Sequence, residues 1–186
     1  MLGRTKAVVG AMAVGLILAA AKPAHALEDS TRGPFYVQGA VASFSVLADW
    51  VNGAYYHNDV EFGWHPTGRH DGFVIGVRQG FDFGDCVLGE TVARIGYDIA
   101  LPLKNGRFEL TIAPYGVAGV NYFLPCGLRN WTEAGIRFGG GVEVKFFLYK
   151  GLYLMVRPIE TTGAELVDAG HVYFHFNTGI GVGFAF

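Results

Sequence analysis

The sequence predicts an all-β chain folded as a closed, eight-stranded antiparallel barrel. Three observations carry that reading. Segments of about ten residues or more alternate large apolar side chains with small or charged ones, the two-residue period of a strand with unlike faces. No stretch after residue 26 holds a long apolar stripe at helical spacing. The 28 glycines, 15 phenylalanines and 9 tyrosines among 186 residues suit a sheet with close backbone approaches and not a disordered chain. One domain accounts for the length.

The first 26 residues stand apart. Arg4 and Lys6 precede the apolar run 7–21, and Ala24 and Ala26 flank His25 in the A-x-A pattern cut by signal peptidase. The run is short for a spanning helix. Residues 1–26 are therefore expected to be a cleaved signal peptide and 27–186 the mature barrel. Removing Arg4, Lys6 and Lys22 from 14 basic residues leaves 11 against 16 acidic ones, a formal charge of −5. No basic patch remains to suggest nucleic acid. Export also allows a disulfide between Cys86 and Cys126, the two cysteines present, with two free thiols as the alternative.

Strands are expected near 34–48, 54–65, 72–84, 89–103, 107–121, 133–148, 151–160 and 171–186. The first, within "PFYVQGAVASFSVL", is irregular and suggests a bulge around its glycine and alanines. In the second, Val60, Phe62 and Trp64 oppose Asp59, Glu61 and Gly63. In the third, Phe73, Ile75 and Val77 oppose Gly76, Arg78, Gly80 and Asp82. The fourth interleaves Ala93, Ile95, Tyr97, Ile99 and Leu101 with Arg94, Gly96 and Asp98. Asn105-Gly106 is a hairpin signal, because a type I′ turn needs two positive φ angles. Beyond it Phe108, Leu110 and Ile112 alternate with Glu109, Thr111 and Ala113. The sixth strand sets Ile136, Phe138, Val142, Val144 and Phe146 against Arg137, Gly139, Gly141, Glu143 and Lys145. After a turn at "YKG", Leu152, Leu154 and Val156 oppose Tyr153, Met155, Arg157 and Ile159, and Glu160, of opposite parity to Arg157, falls at the rim. The eighth strand, "HVYFHFNTGIGVGFAF", separates Val172, Phe174, Phe176, Thr178, Ile180, Val182, Phe184 and Phe186 from His171, Tyr173, His175, Asn177 and glycines.

Periodicity alone does not say which face is inside. A secreted lipocalin-like barrel turns its apolar face inward, whereas a membrane barrel turns it to lipid. The polar faces here mix charges with glycine, as in Arg137–Gly139–Gly141–Glu143–Lys145, which suits a tight interior better than a solvated surface. The fold class read from the sequence is thus an eight-stranded antiparallel transmembrane β-barrel, even-numbered so that it can close. Its interior bases Arg78, Arg94, Arg137, Lys145 and Arg157 are expected to meet Asp59, Glu61, Asp82, Asp98, Glu109 and Glu143, because buried charges need partners. Eight strands leave a lumen that side chains fill, so such a network plugs it; a narrow ion pore is the alternative.

The layout resembles the small eight-stranded outer-membrane barrels of the OmpA transmembrane domain and OmpX group. The resemblance spans the mature chain. It rests on the export signal, the eight alternating segments, the short turns "HPTGRHDG", "LKNGR" and "LYKG" on one side, and the closing aromatic. It implies a bacterial outer-membrane location, periplasmic termini, and contact with membrane lipid and lipopolysaccharide as a monomer. It also implies that Gly181, Phe184 and Phe186 form the signal read by the barrel-assembly machinery, although Gly179 stands where that pattern has a polar residue. Outer loops would fall near 49–53, 84–90, 121–132 and 160–170. Cys86 and Cys126 would then occupy neighbouring loops, and a disulfide there would contribute roughly 2–4 kcal/mol. The resemblance is architectural, and the role it implies is structural or surface interaction.

A lipid A acyl hydrolase is the enzymatic alternative, and it needs a serine activated by histidine where the wall meets lipid. The mature serines are Ser30, Ser43 and Ser45, and "HFN" stands at 175–177 in place of His-x-Ser. His171 and His175 on a strand lie about 13 Å apart, too far to share a metal. No helix follows "GIGVG" at 179–183, so it is no phosphate loop. No catalytic residue, metal or cofactor is expected.

Overall fold

The computed structural model describes residues 33–48, 53–68, 71–83, 87–102, 108–123, 134–166 and 171–186. They form β1 (Phe35–Ala48), β2 (Gly53–Trp64), β3 (Gly72–Phe83), β4 (Val87–Pro102), β5 (Glu109–Phe123), β6 (Ala134–Tyr149), β7 (Leu152–Leu166) and β8 (His171–Ala185). Each strand pairs antiparallel with its sequence neighbours, and β1 pairs with β8 to close the barrel. The closing ladder runs from Tyr36↔Ala185 to Ala48↔Phe174. It is clasped at its end by two backbone bonds, Phe35 N to Phe186 O at 3.1 Å and Phe186 N to Phe35 O at 2.8 Å. The end of the barrel holding this clasp is called the terminal end below, and the opposite one the far end.

The tightest connection joins β6 to β7 through Lys150 (φ 33°) and Gly151 (φ 91°). Two consecutive positive φ angles make a turn whose twist matches the flanking strands. Glycine is required at 151 for space as well, since an added Cβ would fall 2.0 Å from the Ala185 carbonyl oxygen.

The faces sort sharply. Arg78, Arg94, Arg137 and Arg157 have no exposure, whereas Val77, Ile95 and Ile136 beside them are each 57% exposed. The described side chains of the strands repeat the pattern, so the outer wall they form is a belt of Val, Ile, Leu and aromatic side chains. At the terminal end it carries Phe35, Trp64, Phe73, Phe108 and Phe186, with Phe35 stacked 5.9 Å from Phe62 and Phe184 6.2 Å from Phe186.

Bulges interrupt the described ladders in three places: in β1, in β7 and, beside the tight turn, between Phe147 and Tyr149 of β6. In β1 the register shifts between Ala40 and Ser43, where the glycine and alanines suggested it. The second, in β7, overturns two expectations. Arg157 pairs with Gly179 and Glu160 with Asn177, so β7 spends one more residue than β8 over the same stretch. Pro158 and Ile159 both face outward, Ile159 at 53% exposure, and Glu160 turns fully inward. Ile159 is thus not on the inner face, and Glu160 is not a rim residue. Pro158 has no N–H to give the ladder, and a bulge accommodates that. β7 then continues to Leu166, so most of the loop expected at 160–170 is strand. The proposed signal peptide, the Asn105-Gly106 turn and both cysteines lie outside the described residues.

Candidate functional site

The candidate site is the lumen, built from inward-facing residues of all eight strands. Its terminal end combines an aromatic and apolar cluster with one buried ion pair. Tyr36, Ala40, Val74, Phe147, Tyr153, Met155 and Ala185 form one buried cluster, with the Phe147 and Tyr153 rings 4.8 Å apart. Room for the tyrosines comes from glycine: a Cβ at Gly63 would fall 2.2 Å from the Tyr36 ring, and one at Gly183 2.2 Å from the Tyr153 ring. Lys145 Nζ lies over the Tyr36 ring, 4.8 Å from its centroid, and bonds Asp98 Oδ2 at 2.7 Å. His65 Nε2 approaches the same Asp98 oxygen at 3.3 Å.

The middle is a cross-barrel clamp. Arg94 Nη1 lies 2.8 Å from both Glu61 Oε1 and Glu143 Oε2, with its guanidinium 4.1 Å above the Tyr115 ring. The Tyr36 hydroxyl donates to Glu61, and the Tyr153 hydroxyl donates to Gln38 Oε1 at 2.9 Å. Gln38 Nε2 in turn reaches Glu143 at 3.2 Å. Arg157 donates to Asp59 Oδ2 at 2.6 Å and to Glu143 Oε1 at 3.0 Å. Arg78 forks onto Glu160 at 2.5 and 2.9 Å, and the Tyr115 hydroxyl adds a bond to Glu160 at 2.5 Å. Planar guanidinium and carboxylate groups match in such a fork, which fixes orientation as well as charge.

At the far end Arg78 Nε approaches Glu90 at 3.2 Å, and Arg137 contacts both Glu90 and His175. His57 lies between carboxylates, with Nδ1 2.7 Å from Asp82 and Nε2 3.2 Å from Asp59. Among the described residues the buried bases are Arg78, Arg94, Arg137, Lys145 and Arg157, and the buried acids Asp59, Glu61, Asp82, Glu90, Asp98, Glu143 and Glu160. The acids outnumber the fixed cations, and the buried His57, His65 and His175 each face one of them.

Of the residues singled out in the sequence, Arg78, Asp82, Arg94, Asp98, Arg137, Glu143, Lys145 and Arg157 all have buried side chains in ionic contact. Glu109 is half-buried at the start of β5, where Thr111 Oγ1 donates to it at 3.4 Å. Gly181 lies where a Cβ would fall 2.3 Å from the Gly39 carbonyl oxygen, and Phe184 and Phe186 point outward at the seam. Sequence reasoning misses Glu90, Glu160 and His57. Glu90 has the parity of Arg94 and β4 begins at Val87, which takes Glu90 out of the loop expected at 84–90. His57 keeps the parity of Asp59 and Glu61. Glu160 is hidden by the bulge.

The register bears on the hydrolase alternative. Ser43 pairs with His57, and Ser45 with Asn177. His57 and Asn177 are buried inside the barrel, so a site built on them would belong to the lumen and not to the lipid-facing wall where an acyl chain is presented. Among the described residues no group of three or more His, Cys, Asp or Glu is arranged to hold a metal.

No protein-family model matches the sequence, and no curated protein matches it. Two solved structures share its fold. Neisserial surface protein A is 12% identical, with a TM-score of 0.60 over 82% of this chain and 97% of that one. The N-terminal β-barrel domain of Pseudomonas aeruginosa OprF is 10% identical, with a TM-score of 0.50 over 82% of this chain and 98% of that one. At such identities the likeness is one of fold: the chain is a closed eight-stranded antiparallel barrel like the small outer-membrane barrels its sequence resembles.

Proposed function

We propose that the chain is a bacterial outer-membrane β-barrel with a structural or surface-interaction role, its lumen occupied by polar side chains. One observation carries this reading. Four arginines have no exposure while Val77, Ile95, Ile136 and Phe138 next to them are 57–59% exposed, which in water would strand charge inside and hydrocarbon outside. A bilayer reverses the sign of both terms, because the apolar belt meets lipid and only the enclosed groups need partners. The partners that follow are membrane lipid and lipopolysaccharide around the belt and the barrel-assembly machinery during insertion, with the chain a monomer. Purification tests the reading. The protein should require detergent or lipid to stay folded, and a monomer that stays folded and soluble without either would overturn it.

Conduction is the second reading, and the lumen argues against it. The aromatic cluster at the terminal end and the Arg157–Asp59–Glu143 clamp both lie across the path, so an ion would have to displace buried rings and break paired charges. Planar-bilayer recording is expected to find the unmodified protein closed. The acyl-hydrolase reading predicts loss of a fatty acid from lipid A on co-expression, abolished by Ser43→Ala or Ser45→Ala; no such loss is expected.

A further inference from the structure

A circuit of polar groups spans the far end of the lumen. Arg137 on β6 contacts Glu90 on β4 and, across the intervening β7, the imidazole Nδ1 of His175 on β8. His175 Nε2 lies 3.4 Å from Asp82 Oδ2 on β3. Asp82 Oδ1 lies 2.7 Å from His57 Nδ1 on β2, and His57 Nε2 lies 3.7 Å from Glu90, which completes the ring. Five strands are thereby linked through side chains, and β6 to β8 directly. All five residues are at most 2% exposed.

The chemistry of one link fixes a proton. Arginine has five N–H donors and no acceptor. The His175 Nδ1 that faces Arg137 must therefore be bare and accepting. The imidazole then carries its proton on Nε2, which is the atom aimed at Asp82. In this arrangement His175 is neutral, accepts from Arg137 and turns its Nε2 toward Asp82 at 3.4 Å.

We propose that His175 is an acid-released latch on the far end of the barrel. A proton added at Nδ1 sets N–H against N–H and positive against positive, between two side chains that have no exposure. The Arg137–His175 contact breaks. Arg137 keeps Glu90, so the circuit opens at this point and the direct tie between β6 and β8 is lost. The groups facing His175 among the described residues are Arg137 on β6, Asp82 on β3, Glu90 on β4, which pairs with Arg137, and His57 on β2, whose ring stands perpendicular at 6.3 Å. Its ladder partners are Thr162 on β7 and Leu47 on β1, neither of which titrates. Asp82 favours the added proton and Arg137 opposes it, yet the response is set by Arg137 having nothing with which to accept. The aromatic cluster lies at the other end and takes no part, so acid loosens one mouth without making a through-channel.

The test uses the full-length barrel in micelles with 15N-labelled histidine. At neutral pH His175 should show a protonated Nε2 and a bare Nδ1. As the pH is lowered step by step it should gain its second proton, and in the same step amides at the far ends of β6 and β8 should exchange roughly tenfold faster than their pH-corrected neutral rate. Amides beside Tyr36 and Tyr153 should not change. His175→Gln offers an amide oxygen to Arg137 and an NH2 to Asp82 but cannot titrate, so its far end should ignore acid. A protonated Nδ1 at neutral pH, a wild-type far end indifferent to acid, or an equal acid response in His175→Gln each overturns the latch. Should the variant fail to fold, the first two measurements on the unaltered protein decide the matter.

Discussion

Glu160→Gln should be among the most damaging single-atom changes in the protein. Glu160 is fully buried and accepts from both Arg78 Nη atoms, from the Tyr115 hydroxyl at 2.5 Å and from Asn177 Nδ2 at 3.4 Å, with Arg157 Nε at 3.9 Å. The amide keeps the shape and removes the charge, and it turns an NH2 toward donors that need an acceptor. Breaking a buried pair by altering one partner costs about 3–5 kcal/mol. Arg78 retains Glu90 at 3.2 Å, which places the expected loss near the lower end, about 3 kcal/mol. Urea unfolding in lipid vesicles, followed by tryptophan fluorescence, reads this as a midpoint shift of roughly 1–3 M at ordinary m-values. Glu165→Gln is the control, an exposed acid on the same strand whose loss should fall within about 0.5 kcal/mol. The double variant Arg78→Met, Glu160→Met should recover only part of the loss, because the apolar pair removes both desolvation terms but takes away the buried Tyr115 hydroxyl's acceptor and Glu90's contact with Arg78. If Glu160→Gln and Glu165→Gln shift the midpoint equally, Glu160 is not inside and the bulge assignment is wrong.

Other outcomes follow from the same geometry. Ile95→Arg, on the outer wall, should cost about 2–4 kcal/mol in vesicles, whereas an exposed position in water would lose no more than about 0.5 kcal/mol, so the same urea experiment reports what surrounds the belt. Gly151→Ala should lose roughly 1–3 kcal/mol in vesicle unfolding, since the residue sits at φ 91° and its new Cβ would meet the Ala185 carbonyl. Tyr36→Ala combined with Tyr153→Ala should leave bilayer recordings as silent as those of the unmodified protein, because the Arg157–Asp59–Glu143 clamp still lies across the path; a conductance above the unmodified protein's would mean that the clamp does not block it.

What the sequence discloses here is what a period of two can encode. Val77–Arg78 and Ile136–Arg137 announce their faces because each strand is read against its own neighbours, and the eight segments and their order follow. A bulge defeats that method, because one extra residue reverses the parity of everything after it, and Pro158 was the available warning. Partnerships are a different matter. Arg78 and Glu160 are 82 residues apart and Arg157 and Asp59 are 98 apart, so their meeting depends on the curvature and stagger of the closed sheet and not on any local pattern. The tyrosines were equally silent in sequence: Tyr36 and Tyr153 look like ordinary strand residues until Gly63 and Gly183 are seen to make space for their rings.

The seam between β1 and β8 gives this architecture a particular order of events. Every other ladder joins strands adjacent in the chain, and a short turn such as Lys150-Gly151 lets those hairpins form locally. The seam must bring together residues such as Tyr36 and Ala185 from opposite ends of the chain, and it forms after the largest loss of chain freedom. Until it does, the sheet is open and the cross-lumen partners of Arg78, Arg94 and Arg157 stand apart in water. Closure therefore dehydrates the charges and pairs them in one event. Assembly of this barrel should be all-or-none, with partly rolled sheets too costly to accumulate, and the two backbone bonds between Phe35 and Phe186 would be among the last made and the first to report its undoing.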